Sequence, residues 1–260
     1  MHLLFIGDVV GAPGHRVLAA HLPALRERFK LDLVVANGEN VAGGFGVTRE
    51  AARALFALGV DVISNGNHAW DKREALEYIV TEPRLLRPHN YPPGTPGSGW
   101  YVTTARGVKV GVLNLMGTVF MHPTLACPFR AADEALAQKP GDVRVVLVDF
   151  HAETTSEKWS MAWHLSGRVS AVVGTHTHVP TADERVLPGH TAYISDVGMT
   201  GCYHSVIGMD IQKTLRRFLL KLPERFDAAQ GKATLCGVVI DVDEQTGRSR
   251  SIRRIAIDEE

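Results

Sequence analysis

The first 80 residues repeat one pattern three times: a short apolar run, a polar turn, then a stretch with helical spacing. Residues 3–6 run into Gly7-Asp8, residues 31–36 into Asn37-Gly38-Glu39-Asn40, and residues 61–64 into Asn65-Gly66-Asn67-His68. Helical stretches follow at 17–29, 49–58 and 72–80. Short apolar runs alternating with such stretches signal βαβ units, in which helices cover the faces of a sheet. The pattern also fixes where chemistry can sit. Ligands in open α/β sheets bind beyond the carboxyl ends of the strands, and here each of those ends delivers polar side chains.

Local signals refine the elements. Pro13 suits a helix start, and Pro23 inside 17–29 predicts a late start or a kink. Thr48 is placed to cap the helix at 49–58. Residues 84–99, rich in Pro and Gly, read as a surface loop. Strands are expected at 100–104 and 108–115 around Arg106-Gly107, and at 143–148 leading into Asp149-Phe150-His151. A loop at 116–128 carries Met116, Val119, Phe120 and Met121, a set that fits an interface, a lid or a buried loop equally. Helices are expected at 131–138 and 154–166, the second capped by Thr154 or Thr155 with Glu157 nearby. Strands at 181–187 and 191–195, a helix at 210–220 and a hairpin joining 233–242 to 249–257 complete the chain. The second half is thus richer in antiparallel pairing, and no linker divides residues 1–260, so a single domain is expected.

Composition excludes several classes. Twenty-eight acidic and 28 basic residues leave no net charge, hence no electrostatic footprint for non-specific nucleic-acid or membrane binding. No apolar run approaches the roughly 20 residues of a membrane span, and residues 1–8 read as a first strand rather than a signal peptide. Three scattered cysteines suggest neither a disulfide framework nor a thiolate metal site, so a reducing cytoplasm is expected. Gly7, Gly11 and Gly14 do not make a dinucleotide fingerprint. Twelve histidines turn attention to imidazole chemistry.

The sharpest signal is Gly174-Thr175-His176-Thr177-His178, which follows the β-branched run at 168–173. In an extended chain His176 and His178 share one face, about 7 Å apart, and Gly174 permits a turn there. Paired neutral imidazoles suit a transition metal, although alone they are as readily two polar loop residues. Their partners are the other strand-end residues: Asp8, Glu39, Asn40, Asn67, His68 and His151. Taken singly, each has a plainer reading as a cap, a turn former or a satisfied histidine. Together they offer carboxylate, carboxamide and imidazole donors without a thiol, which suits Mn, Fe, Zn or Co. The number of donors exceeds one tetrahedral site and matches two metals sharing a carboxylate.

In order and spacing, Gly7-Asp8, Gly38-Glu39-Asn40, Gly66-Asn67-His68, His151 and Gly174-Thr175-His176-Thr177-His178 resemble the blocks of the calcineurin-like metallophosphoesterases. The spelling of the second block, with Asn65-Gly66-Asn67-His68-Ala69-Trp70-Asp71 in the third, looks like the YmdB-like branch. The resemblance covers residues 1 to about 210. It departs from the superfamily at Asp8-Val9-Val10, where an imidazole is missing, and at Glu39, where an aspartate is usual.

The resemblance implies a four-layer αββα sandwich with mixed sheets. It implies a phosphodiesterase of cyclic nucleotides, 2′,3′-cyclic above all. One metal would take Asp8, Glu39, Asn40 and His178, with Asn40 standing in for the lost imidazole. The other would take Glu39, Asn67, His151 and His176. Iron or manganese is expected, with zinc an alternative. A hydroxide bridging the two would attack phosphorus, and His68 would protonate the leaving alkoxide; Asp71, by its spacing from His68, is expected to orient it. A low-turnover regulatory protein that binds nucleotide or RNA ends, and a phosphomonoesterase, are the alternatives. A nucleotide substrate and a homo-oligomer are the expected partners, with RNA as an alternative and no membrane. Asn90 and His204 are candidates for the wall of a substrate pocket.

Overall fold

A strand buried on both faces organises the molecule. In β1 (His2–Ile6), Leu4 and Ile6 point one way, into a core shared with helices, while Leu3 and Phe5 point the other way, toward a second sheet. Such a strand reads as a continuous apolar run rather than an alternating one. The computed structural model describes residues 1–260. After β1 come β2 (Asp8–Val9), α1 (Gly11–Phe29), β3 (Leu33–Asn37), α2 (Arg49–Leu58), β4 (Val62–Ser64) and α3 (Glu74–Thr81). The chain continues through β5 (Trp100–Ala105), β6 (Val108–Met116), α4 (Pro128–Gln138), β7 (Val145–His151), α5 (Thr155–Leu165) and β8 (Ala171–Thr175). It closes with β9 (Arg185–Val186), β10 (Ala192–Ile194), β11 (Met199–Thr200), α6 (Ile211–Leu220), β12 (Thr234–Val242) and β13 (Ser249–Asp258).

Two mixed sheets result. The first runs β13-β12-β1-β3-β4, with β1, β3 and β4 parallel and the β12–β13 hairpin antiparallel beside β1. The second runs β5-β6-β7-β8-β10-β9, with parallel β6, β7, β8 and β10 and an antiparallel strand at each edge. Between the sheets, Leu3, Phe5, Leu33 and Val35 meet Val110, Val112, Val145 and Leu147. Helices α1, α2 and α3 cover the outer face of the first sheet through Val17, Leu22, Leu55 and Ile79. Helices α4 and α5 cover the second through Ala132, Met161 and Leu165. This is the expected four-layer sandwich. Cutting Phe5, wholly buried, to alanine would cost about 3–5 kcal/mol.

The elements depart from expectation in instructive places. Helix α1 begins at Gly11 rather than near residue 17 and passes through Pro23. Pro13 lies in the first turn, where an amide has no intrahelical partner to lose. Pro23 lies on the exposed face, so the carbonyl it leaves free needs no protein partner there. Thr48 caps α2 as expected, accepting the Ala51 N–H at 3.1 Å. Thr154 precedes α5 without a side-chain capping bond, and Glu157 serves another loop. It accepts the Thr118 N–H at 2.9 Å and so pins the 116–128 segment, with Met116 and Met121 buried and Phe120 exposed. Asn90 is no pocket wall, because its amide is buried and ties the end of β6 to the loop before α4 through the Met116 and Ala126 carbonyls. Helix α6 stands outside the four layers: only its Thr214 is buried. No helix is long and apolar enough to cross a membrane.

Candidate metal centre

The parallel strands of both sheets release their carboxyl ends at one edge, and the polar residues that follow them meet there. Asp8 comes first. It sits in β2, which pairs with β11, and is wholly buried. Its Oδ2 accepts the His176 N–H at 3.3 Å, while Oδ1 has no hydrogen-bond partner. The turn after β3 is shaped by Asn37, whose Oδ1 accepts the Glu39 N–H at 3.1 Å. Glu39 Oε2 accepts the His68 N–H at 3.0 Å, and its Oε1 lies 3.1 Å from His151 Nε2. Asn40 gives its amide to the Gly44 carbonyl at 2.9 Å, which leaves its buried Oδ1 without a partner.

Asn67 and His68 follow β4. Asn67 Oδ1 lies 2.9 Å from His151 Nε2. His68 Nδ1 lies 2.7 Å from Asp71 Oδ2, and its ring packs edge-on against Phe45. His151 is the last residue of β7, which runs three residues past the expected end of the apolar run at Val148. Its Nδ1 lies 2.9 Å from the Thr175 hydroxyl, which donates to Asp149 Oδ1 at 2.7 Å. That chain fixes the ring and aims Nε2 at the point where Glu39 Oε1, Asn67 Oδ1 and, at 3.1 Å, His176 Nδ1 converge.

The two histidines of the Gly-Thr-His-Thr-His block do not leave an extended strand side by side. His176 (φ 103°) and His178 (φ 65°) both lie in the left-handed region, so the block is a tight turn. Gly174 is needed for a different reason from the expected one. It lies inside β8, where a Cβ would stand 1.7 Å from the Ser195 carbonyl oxygen. The turn sends His176 Nδ1 toward His151 while Nε2 meets Glu153 at 3.0 Å. It anchors His178 Nδ1 on the Ile207 carbonyl at 2.8 Å and leaves Nε2 3.9 Å from Asp8 Oδ1.

Charge is unbalanced in this cluster. Burial raises the Asp8 carboxyl from its ordinary range, against the pull of His178 and His151. Burial would also raise Glu39, but the charge and hydrogen bond of His151 outweigh it and hold the carboxyl at about 2. Burial works against a charged His151, yet Glu39, then Asp8 and Asp149, lift it to about 9. Burial, then the His151 charge, push His176 down to about 3. One proton on His151 therefore stands where several donors want a cation.

The donor set fits one. Glu39, His151 and His176 each offer a ligand atom within 4.8 Å of the others. The orphaned oxygens of Asp8 and Asn40 are buried acceptors that a cation would satisfy. The structure brings together Asp8, Glu39, Asn67, His151, His176 and His178, with His68 at the rim. It also reveals supports that the sequence left unmarked: Asp149, Thr175, Glu153, Lys158 and Asp196. Only Asp149 carried a signal, because it lies two residues before His151 and so shares its face of the strand.

A family profile described as YmdB-like protein matches residues 4–255. The chain belongs to the YmdB-like family. It is 48% identical over 260 residues to a Bacillus subtilis protein named 2′,3′-cyclic-nucleotide 2′-phosphodiesterase, covering 100% of this chain and 98% of that one. A crystal structure of a hypothetical protein from Thermus thermophilus superposes with a TM-score of 0.94 at 46% identity over the full length of both chains. The calcineurin-like phosphoesterase YfkN of B. subtilis shares the fold at a TM-score of 0.59 and 10% identity, over 99% of this chain and 90% of that one. This YmdB-like chain thus has the calcineurin-like α/β fold.

Proposed function

We propose that the chain is a metal-dependent phosphodiesterase of cyclic nucleotides, the 2′,3′-cyclic class first, with two metal ions at the strand-end cluster. The observation that carries this reading is the convergence of carboxylate, carboxamide and imidazole donors around His151 Nε2, beside two buried acceptors without partners. The name of the 48% identical relative supports the substrate class. Asp8, Glu39, Asn40 and His178 would hold one ion, and Glu39, Asn67, His151 and His176 the other, with Glu39 shared. The Asn40 carboxamide in place of an imidazole makes the first site harder, which favours iron or manganese over zinc there. When bound, such a pair neutralises phosphate charge and acidifies a coordinated water.

The protein's own groups do the rest. The Asp149–Thr175–His151 chain and the Glu153–His176 contact fix ring orientations, as outer partners of metal-bound histidines do. His68 is about a quarter exposed; its backbone N–H rests on Glu39 and its Nδ1 on Asp71. Its Nε2 would give a proton to the ribose oxygen as the phosphorus–oxygen bond breaks. A terminal cyclic phosphate on RNA presents the same chemistry.

The proposal extends to compartment and assembly. Three free cysteines suit a reducing cytoplasm. Self-association has a surface in α6, which exposes Leu215, Phe218, Leu219 and Leu220. Antiparallel pairing of two copies would set Asp210 at the start of one α6 against Lys221 at the end of the other. In sedimentation, Leu219→Glu should release monomers; an unchanged assembly would remove α6 from the interface.

The decisive experiment loads metal-stripped protein with Mn²⁺ or Fe²⁺ and compares 2′,3′-cyclic AMP, 3′,5′-cyclic AMP and p-nitrophenyl phosphate. Release of nucleotide from the 2′,3′-cyclic ester above all is expected. Faster monoester cleavage would make the protein a phosphomonoesterase. Tight nucleotide binding with negligible turnover would make it a regulatory binder.

A further inference from the structure

Behind the His176–His178 turn lies a buried ion pair that makes no contact with the candidate ligand atoms. Lys158 of α5 and Asp196, just after β10, are each 1% exposed, and Lys158 Nζ donates to Asp196 Oδ2 at 2.7 Å. The same Oδ2 accepts the N–H of Thr177, the residue between the two histidines, at 3.0 Å. Oδ1 accepts the Gly198 N–H at 2.9 Å, and the Asp196 backbone is tied to Thr181 on the far side of the turn. To reach Asp196, the lysine stem crosses β8 at Gly174, where a Cβ would stand 3.0 Å from Lys158 Cδ.

The turn needs such a restraint. Two residues with a Cβ adopt left-handed φ on either side of Thr177, a conformation that free chains avoid. Strained backbone persists only where its surroundings over-determine it. Asp8 Oδ2 also holds the His176 N–H, but Asp8 belongs to the donor set itself. Asp196 restrains the turn from behind. Its charge reaches the centre, since it acts on Asp8. Lys158 neutralises the buried carboxylate while its Oδ2 faces the Thr177 amide.

We infer that Asp196, held by Lys158, is a positioning residue that sets the His176–Thr177–His178 turn in its metal-binding shape before any cation arrives. This rests on the two-metal reading above. A buried ion pair is often no better for stability than a neutral pair of the same shape, so a role in stability alone makes a different prediction.

The test uses full-length protein stripped with a chelator and titrated with Mn²⁺ alone, by competition with an indicator. Asp196→Asn leaves one acceptor for two backbone amides and strands the ammonium, so both the thermal midpoint of the metal-free protein and its Mn²⁺ affinity should fall. Asp196→Asn combined with Lys158→Met removes the stranded charge. The midpoint should recover toward wild type, while Mn²⁺ affinity stays about 10- to 100-fold weak, as for other outer supports of metal ligands. Wild-type affinity in a folded double variant would reduce the pair to a stability element and overturn the inference. A second measurement needs no variant: in metal-free wild-type protein the Thr177 amide should exchange slowly, and fast exchange would refute a preset turn. If wild-type protein binds no Mn²⁺, the two-metal reading fails instead, and the outcomes stay distinct.

Discussion

Substituting Gly66 with alanine should disable the centre through a single methyl group. Gly66 lies between β4 and Asn67, against the edge of the His151 ring. A Cβ built there stands 2.1 Å from His151 Cδ2 and 2.2 Å from Nε2, against an ordinary contact of 3.4 Å or more. The ring would have to retreat by about 1.3 Å, whereas metal–ligand distances tolerate about 0.2 Å. It has nowhere to go: His151 is wholly buried, with Thr175 and Asn37 against Nδ1. Disturbing the support of a metal ligand typically costs about 10–100-fold in metal affinity, and overpacking about 1–3 kcal/mol in stability. Mn²⁺ affinity in Gly66→Ala should therefore fall about 100-fold, equivalent to about 2.7 kcal/mol. Gly141→Ala is the control, since a Cβ there meets nothing within 4 Å. The assay is Mn²⁺ titration of chelator-stripped protein, with circular dichroism to verify folding. Wild-type affinity in Gly66→Ala would refute the placement of His151 Nε2 among the ligands.

Three further outcomes are expected. His68→Ala should keep its metal content by elemental analysis yet lose about 10²–10⁴-fold in hydrolysis of 2′,3′-cyclic AMP; undiminished turnover would remove His68 from the reaction. In metal-free protein His151 is raised from 6.5 to about 9, so its paired form contributes in full below 6.5 and is lost as pH rises through 9. The thermal midpoint of that form should fall between pH 7 and 9, while Mn²⁺ affinity climbs over the same window because the cation displaces the proton; a flat affinity would place the proton elsewhere. Chelation should lower the thermal midpoint of loaded protein by a margin that grows with the Mn²⁺ concentration before treatment, and calorimetry would expose a site that never held metal.

What the sequence made legible is what periodicity and turn chemistry encode. The run at 3–6 is a strand buried on both faces, and Thr48 marks the start of α2 to the residue. The strand-end residues could be gathered because parallel strands must open toward one edge. What stayed hidden depends on distant neighbours. The start of α1 turned on Pro13 fitting a first turn, and Pro23 was tolerated because its side of the helix is wet. The His-x-His spacing looked like strand alternation, yet both backbones curl left-handed under restraint from Asp196, 20 residues after His176. Nothing local to Lys158 announces a charge buried across the second sheet. Gly66 and Gly174 read as turn glycines, but the space taken by His151 and by Ser195 is what requires them.

The position of β1 bears on how the molecule is made. On one flank it pairs with β3, close behind it in the chain, and on the other with β12, more than 200 residues later. During synthesis that second flank stays open until the β12–β13 hairpin has left the ribosome. Asp8 leaves the end of this half-finished strand, and its β11 neighbour is nearly as late to emerge. On the two-ion proposal, a cation captured by the nascent chain would find imidazoles and Glu39 before a settled Asp8, so the position nearest Asp8 should be the last to fill.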